Sequence, residues 1–508
     1  MKAKYCILVG VMFFSSLMYG QQYKRNYNWT IGTNPVVKFS FSFGLAIDTV
    51  DNAGVNNPPF CILSTASASI SDTLGLLQFF TNGYIIYDSG GFAMQNGLYV
   101  NCPYGNVLAD YYGLNSLFDQ TSIILPKKGN TYYVFNTGMS DSFANNYLNQ
   151  VNGAYWDVLS YSIVDMDSNA GKGKVVQKNV VLTDSQKYAN TAMHAVKHNN
   201  GKDWWLVKAD CYNNRYQEFL IKEDTILGPF YQTATDSLSN AFCIGGLNQI
   251  YFNEQGTQMA SGIYGTLKSG IFYDFNRVDI YDFNRCDGTL TFKKYYEVPY
   301  DTSTYINDDY KQGICFSPNS KLLYMGNNYS MYQIDLEDTN TYNALLIHGP
   351  DTSNLSYFPL YSMMALAPDG KMYIGNSNGT RKYMSYIDSP DIKGLGCNFV
   401  PQGVWQPYTN LMSPPNMPNY GLGPDTSVIC WPLASSHLTL TSKEFEVYPN
   451  PASTVINIKT ESKEKRELYN SLGQLLFSTD KNEINVSRYY RGIYYIKIEN
   501  TVKKIIIE

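Results

Sequence analysis

Six times along this 508-residue chain, an apolar strand end runs into a polar turn and then into a strongly apolar or aromatic strand. The segments are ISDTLGLLQFFTNG from Ile70, LPKKGNTYYVFNTG from Leu125, VKHNNGKDWWLVKA from Val196, FNEQGTQMASGIYG from Phe252, FSPNSKLLYMGNN from Phe316 and LAPDGKMYIGNS from Leu366. Gly75, Gly129, Gly201, Gly256 and Gly370 follow their anchors at four or five positions, and Ser320 takes that place in the fifth copy. Glycine supplies the positive φ of a tight turn, so each segment reads as a β-hairpin. The anchors recur about every 59 residues. One inner hairpin and a variable outer hairpin per unit is the pattern of propeller blades. A β-helix needs a much shorter period, and separate sandwiches need linkers, of which none stands before residue 430.

Alternating segments follow the inner hairpins and supply outer strands: 156–166, 276–285, 331–338 and 382–389. A leading segment, NWTIGTNPVVKFSFSF, and a trailing one, CNFVPQGVWQP to NYGLGP, are left over. If the two ends share a blade, as usual in closed rings, the count is seven, with six as the alternative. Trp204 and Trp205 are expected to pack between blades on one side. Composition agrees with an all-β chain, with 45 Tyr and only 16% charged residues, and no window shows a helical apolar period.

At the N-terminus, Lys2 and Lys4 precede an apolar run from Cys6 to Met18 that is too short to span a bilayer. With Gly20 at the cleavage point, residues 1–20 read as a signal peptide, although Met18 fits the −3 position poorly. Cys6 comes too early to be a lipidated cysteine, and the processed chain is expected to be soluble. Eight cysteines remain: Cys61, Cys102, Cys211, Cys243, Cys286, Cys315, Cys397 and Cys430. Export permits one or two disulfides, whose pairing the spacing leaves open, and the absence of a CxxC pair points away from zinc or redox sites. The formal net charge is −5 with no basic stripe, which excludes nucleic acid as an expected partner.

After the Ser/Thr-rich linker at 431–442, a new strand pattern starts with FEVYPNPAS. Pro449 and Pro451 fix φ and hold Tyr448 and Asn450 extended. TVINIKT alternates, Gly473 sits in a hairpin turn, GIYYIKIEN places Tyr494, Ile496 and Ile498 on one face, and TVKKIIIE ends the chain as a strand. About seven short strands make a small immunoglobulin-like β-sandwich.

Two resemblances follow. The order NWTIG, SISDTLGLLQFFTNG, TSIILPKKGNTYYVFNTG, HNNGKDWW, FSPNSKLLYMG, CNFV and MPNYGLGP resembles a propeller family of secreted Bacteroidetes proteins, which implies fold and export but no chemistry. YPNPAS, LYNSLGQLL, GIYYIKI and KKIIIE, in this order at the C-terminus, resemble the type A sorting domain of the type IX secretion system. That resemblance implies Pro449, Asn450, Pro451, Gly473, Gly492, Tyr494, Lys503 and Lys504 as the sorting motif. It also implies the outer-membrane type IX machinery as partner, with release or attachment to an anionic lipopolysaccharide after processing. The segment NVSRYYRG is bulkier and more basic than usual, and the last residue is Glu508. The chain thus divides into a signal peptide (1–20), a β-propeller domain (21–430), a linker (431–442) and a sorting domain (443–508).

No catalytic, cofactor or metal site is expected. His194 and His198 lie on a predicted strand without the helical metalloprotease pattern, and there is no G-x-S-x-G elbow. DMDSNAG, from Asp165, lacks the Gly and Glu of a calcium loop and reads as a hairpin turn. Asp308 and Asp309 are adjacent and would face opposite ways on a strand. Asp-Ser/Thr steps at Asp48, Asp72, Asp224 and Asp236 resemble O-glycosylation sites of periplasmic Bacteroidetes proteins, with turn residues as the simpler reading. Function therefore divides between a binding or adhesion module for an extracellular glycan or protein and, alternatively, a propeller enzyme acting on extracellular glycans by hydrolysis or lysis.

Overall fold

The computed structural model describes residues 24–33, 36–42, 44–50, 62–63, 67–101, 120–138, 140, 157–184, 192–210, 215–233, 242–243, 247–268, 271–298, 311–327, 329–338, 344–349, 361–376, 382–407, 413–428, 430, 445–460, 462–470, 475–498 and 501–508. It splits into two compact units, Met1–Asp425 and Thr426–Glu508. Among the described residues there is no α-helix.

Among the described residues of the first unit, seven antiparallel blades follow one another along the chain. Blade 1 has the strands Asn28–Thr33, Val37–Ser40 and Ala46–Thr49, with Ile62–Leu63 paired to the first of these. Blades 2 to 7 are meanders of four successive strands. Their first strands are Ala68–Ser71, Ser122–Pro126, Met193–Lys197, Ile250–Phe252, Lys311–Phe316 and Tyr361–Leu366. These first strands contact one another in succession, and Asn28–Thr33 contacts the first strand of blade 2, so they surround a central channel. All six predicted hairpins form the inner pair of a blade. Their turn residues have positive φ: 92° at Gly75, 58° at Gly129, 70° at Gly201, 68° at Gly256, 81° at Gly370 and 60° at Ser320. Ser320 holds the left-handed conformation within a turn where the Asn319 Oδ1 accepts from the Lys321 N–H.

The ring closes by packing, which corrects the expectation that the chain ends share a blade. Every described strand of blade 1 lies between residues 28 and 63, and every one of blade 7 between 361 and 405. Trp29, Phe39 and Phe41 of blade 1 form one core with Tyr373, Met384 and Val404 of blade 7. The Trp29 and Tyr373 rings meet edge to face, 5.8 Å between centroids. Part of the trailing segment becomes Phe399–Trp405, the fourth strand of blade 7. The rest, SPPNMPNYGLGPD at 413–425, joins no sheet. Its prolines lack the N–H groups a ladder needs.

The core lies between blades. Trp204 packs towards blades 2 and 3 and Trp205 towards blade 5, so the two do not share a side as expected. Successive strand residues point to opposite faces, and a propeller blade buries both.

The described residues of the second unit form a sandwich of seven strands. One sheet orders Glu446–Tyr448, Val455–Lys459 and Glu483–Asn485. The other orders Leu475–Thr479, Arg466–Asn470, Gly492–Ile498 and Thr501–Ile507. Ile456, Ile458, Leu468, Ile484, Ile496 and Ile505 fill the space between, as their alternation requires.

Candidate functional site

Residues 413–425 thread the channel. At the end where the first strands begin, the Asn416 backbone N–H donates to Ser67 O at 2.8 Å. Its side-chain Nδ2 donates to Ser122 O at 3.0 Å and to Met193 O at 2.9 Å. One asparagine therefore reaches blades 2, 3 and 4. Two buried glutamines continue the hub. Gln120 Nε2 donates to Ile250 O at 2.9 Å, and Gln120 Oε1 accepts from Ile250 N at 3.0 Å. Gln249 Oε1 accepts from Ile314 N and Met364 N at 2.9 and 3.1 Å, and its Nε2 donates to Met364 O at 2.7 Å. Together the three amides tie blades 2 to 7 near the axis.

The segment then crosses to the hairpin-turn face. Tyr420 donates its hydroxyl to Ile124 O at 2.7 Å, and its ring lies edge-on to Trp204. Asn419 Nδ2 donates to Glu254 O and to its carboxylate Oε2, both at 3.0 Å. Arg285 Nη2 donates to Gly423 O at 2.6 Å, and Asn199 exchanges two hydrogen bonds with the Asp425 backbone. The predicted turn glycines acquire a second role here. A Cβ at Gly201 would stand 2.7 Å from Pro424 Cδ, and one at Gly256 would stand 2.7 Å from Leu422 Cδ2. Both positions thus need positive φ and a bare surface for the segment to pass.

Glu254 and His194 face the threaded segment with shifted pKa values. Part of Glu254 reaches solvent, yet its carboxyl is enclosed enough that desolvation pushes its pKa up to about 7. His194, on the first strand of blade 4, is buried against Tyr251 and Phe252. Burial lowers its pKa to about 4, partly offset by the nearby backbone of Ala195 and Met417. Neither ring nitrogen has a partner at hydrogen-bond geometry. Beside the segment, a cavity of about 30 Å³ lies at Glu254 and one of about 10 Å³ at His194. These admit single waters and are far smaller than a sugar site.

His198 does not join His194 in a ligand set. Its Nε2 sits 2.9 Å from Cys286 O, and its Nδ1 accepts from Asn200 N. Among the described residues, no group of three or more His, Cys, Asp or Glu is placed to hold a metal. The DMDSNAG stretch forms the turn between the last two strands of blade 3, where Asp165 accepts from Asp167 N and Ser168 Oγ. Cys286 and Cys430 each take part in a disulfide, whereas Cys315 and Cys397 are buried free thiols. Asp308, Asp309, Asp236 and His437 lie outside the described residues.

In the sandwich, Asn450 is the working residue of the YPNPAS stretch. Its Nδ2 donates to Lys504 O at 3.0 Å and its Oδ1 accepts from Ile506 N at 2.8 Å. Ala452 N donates to Ile506 O, and Glu508 N donates to Ala452 O. The two ends of this unit are thereby laced together, with Pro449 and Pro451, both in cis peptide linkage, flanking the asparagine. Tyr494 donates its hydroxyl to Tyr490 O at 2.8 Å, and Lys503 Nζ stands over the Phe445 ring. Gly492 opens the strand Gly492–Ile498, and a Cβ there would meet only ordinary contacts. Gly473 lies outside the described residues.

Asn416, Gln120, Gln249 and Glu254 belong to no motif in the sequence. The only local signal was four prolines in SPPNMPNYGLGPD, which forbid a ladder strand but do not say where the segment goes.

Residues 446–508 match the family described as secretion system C-terminal sorting domain. No curated protein matches the chain. Among solved structures, a putative 6-phosphogluconolactonase from Bacteroides uniformis is 12% identical, covering 73% of this chain and 94% of that one at TM-score 0.39. The β-propeller domain of Myceliophteria thermophila Cps50 is 10% identical, covering 69% and 90% at TM-score 0.37. The periplasmic gluconolactonase of Pseudomonas aeruginosa is 8% identical, covering 77% and 97% at TM-score 0.33. At such scores the propeller architecture rests on the sheet order and the packing of blade 1 on blade 7. The matched C-terminal domain directs export through the type IX secretion system to the cell surface or the extracellular space.

Proposed function

We propose that this is an exported binding or adhesion module whose ligand, an extracellular glycan or protein, is met on the outer loops and rim of the propeller. The threaded segment supports this reading. A propeller enzyme draws its reacting groups to the channel, and here residues 413–425 run through it, with the two spaces described beside them fit for single waters. A glycan array read together with a reducing-end assay on the processed body tests the proposal. Retained ligand without turnover supports it.

Glu254 favours a second reading as a glycan-degrading enzyme, because a carboxyl with pKa about 7 suits a proton donor. Glycoside hydrolysis also needs a second carboxylate about 5–10 Å away. Turnover lost in Glu254→Gln would overturn the binding reading.

For export, the proposal takes residues 1–20 as signal peptide, 21–430 as body, 431–442 as linker and 443–508 as sorting domain, in a Bacteroidetes-type organism. The sorting motif comprises Pro449, Asn450, Pro451, Gly473, Gly492, Tyr494, Lys503 and Lys504. After transport the body is released or joined to anionic lipopolysaccharide. Deleting 443–508 should trap the protein in the periplasm, and wild-type surface levels of the truncated form would refute this.

A further inference from the structure

We propose that the seam between the threaded segment and the ring is a built water-binding site, in which ordered waters at two places serve as structural ligands. The first place is the cavity bounded by Asn26, Trp29, Tyr251, Glu254 and Asn419. Trp29 is 2% exposed, and its Nε1–H has no protein partner. Asn26 Oδ1 is likewise buried without a donor. Unpaired buried polar atoms are rare in native proteins because each forfeits its hydration. Here a donor from blade 1 and an acceptor just ahead of it line one polar cavity with the Glu254 carboxyl and Asn419 of the threaded segment.

The wall chemistry selects the occupant. The Trp29 indole needs an acceptor, and Asn26 Oδ1 needs a donor. A metal cation offers the indole nothing to donate to. An anion offers Asn26 no hydrogen and meets the Glu254 carboxyl. An apolar molecule satisfies neither group. Water accepts and donates at once, and about 30 Å³ suffices for it.

The second place repeats the logic with different residues. His194 is 3% exposed, and both ring nitrogens lack partners. A neutral imidazole presents one donor and one acceptor, which again calls for water, and the adjoining cavity of about 10 Å³ holds one. Tyr251, Ala365, Pro415 and Met417 border both cavities, so the waters flank the same stretch of the threaded segment. A proline-rich segment offers few N–H groups for direct bonding. Bridging water is a compensating way to hold it.

A crystal structure of the whole protein, at a resolution that resolves waters, tests the inference. Expected are water peaks about 2.7–3.2 Å from Trp29 Nε1, Asn26 Oδ1 and a His194 ring nitrogen. In solution, the Trp29 indole proton, assigned by its loss in Trp29→Phe, should show a cross-peak to long-lived water. In Asn26→Ala, the peak beside Trp29 should weaken or shift while the peak at His194 stays. Dry cavities, or side chains re-paired directly with protein atoms, would overturn the proposal. So would a peak ringed only by oxygens at about 2.3–2.6 Å, which marks a cation.

Discussion

Replacing Asn416 tests whether the threaded segment holds the ring together. In Asn416→Ala, the Nδ2 bonds to Ser122 O and Met193 O disappear, at 3.0 and 2.9 Å, in a site where Asn416 is 7% exposed. A lost buried hydrogen bond that strands its partner costs roughly 1–3 kcal/mol, and two stranded carbonyls give about 2–4 kcal/mol after some relaxation. Asn416→Asp should be worse, because it points an acceptor, and a buried charge, at the same two carbonyls. Urea unfolding of the full chain, followed by Trp fluorescence, measures this, since Trp204 packs on Tyr420 of the same segment. The surface change Lys172→Ala is the control and should alter stability by less than about 0.5 kcal/mol. A cost for Asn416→Ala below about 0.5 kcal/mol, or an Asp variant milder than Ala, would refute the clasp.

Other expectations follow from the same chemistry. Glu218 is fully buried, and desolvation holds its pKa well above the carboxylate range. Its contribution is present below the unfolded pKa and lost as pH rises, so Glu218→Gln should gain stability relative to wild type as pH increases from about 5, read as melting temperature against pH. His194 behaves in the opposite sense. With its folded pKa lowered to about 4, its contribution is present above about 6.5 and lost as pH falls. The wild type should therefore lose more stability than His194→Gln between those values. In the sandwich, Asn450→Ala removes two bonds to the last strand and should cost about 1 kcal/mol, with faster proteolytic trimming after residue 500. Limited proteolysis of the whole protein should cut near 431–443 first and spare 413–425; early cleavage within 413–425 would contradict its enclosure.

The inner hairpins and the sandwich were legible because their determinants are local. Turn residues with positive φ, Ser320 included, sit where hairpin chemistry places them, and alternation assigns Ile456 and Ile458 to one face. The sorting domain was legible for the same reason, as short motifs in a fixed order. The pairing of blade 1 with blade 7 was not. Trp29 and Tyr373 are far apart in sequence, and nothing local says that their rings will meet.

The sequence by itself determined where the inner hairpins and their turns fall, because these rest on local turn chemistry and alternation, whereas it left the trailing segment to share a blade with the leading one. Only the tertiary structure decided where that segment goes. Asn416 becomes a clasp when three separate strand ends converge around it, and the Glu254 pKa is pushed up to about 7 by desolvation where its carboxyl is enclosed beside Asn419 of the threaded segment. Both properties depend on groups brought together from distant parts of the chain, and burial and convergence have no local sequence signature.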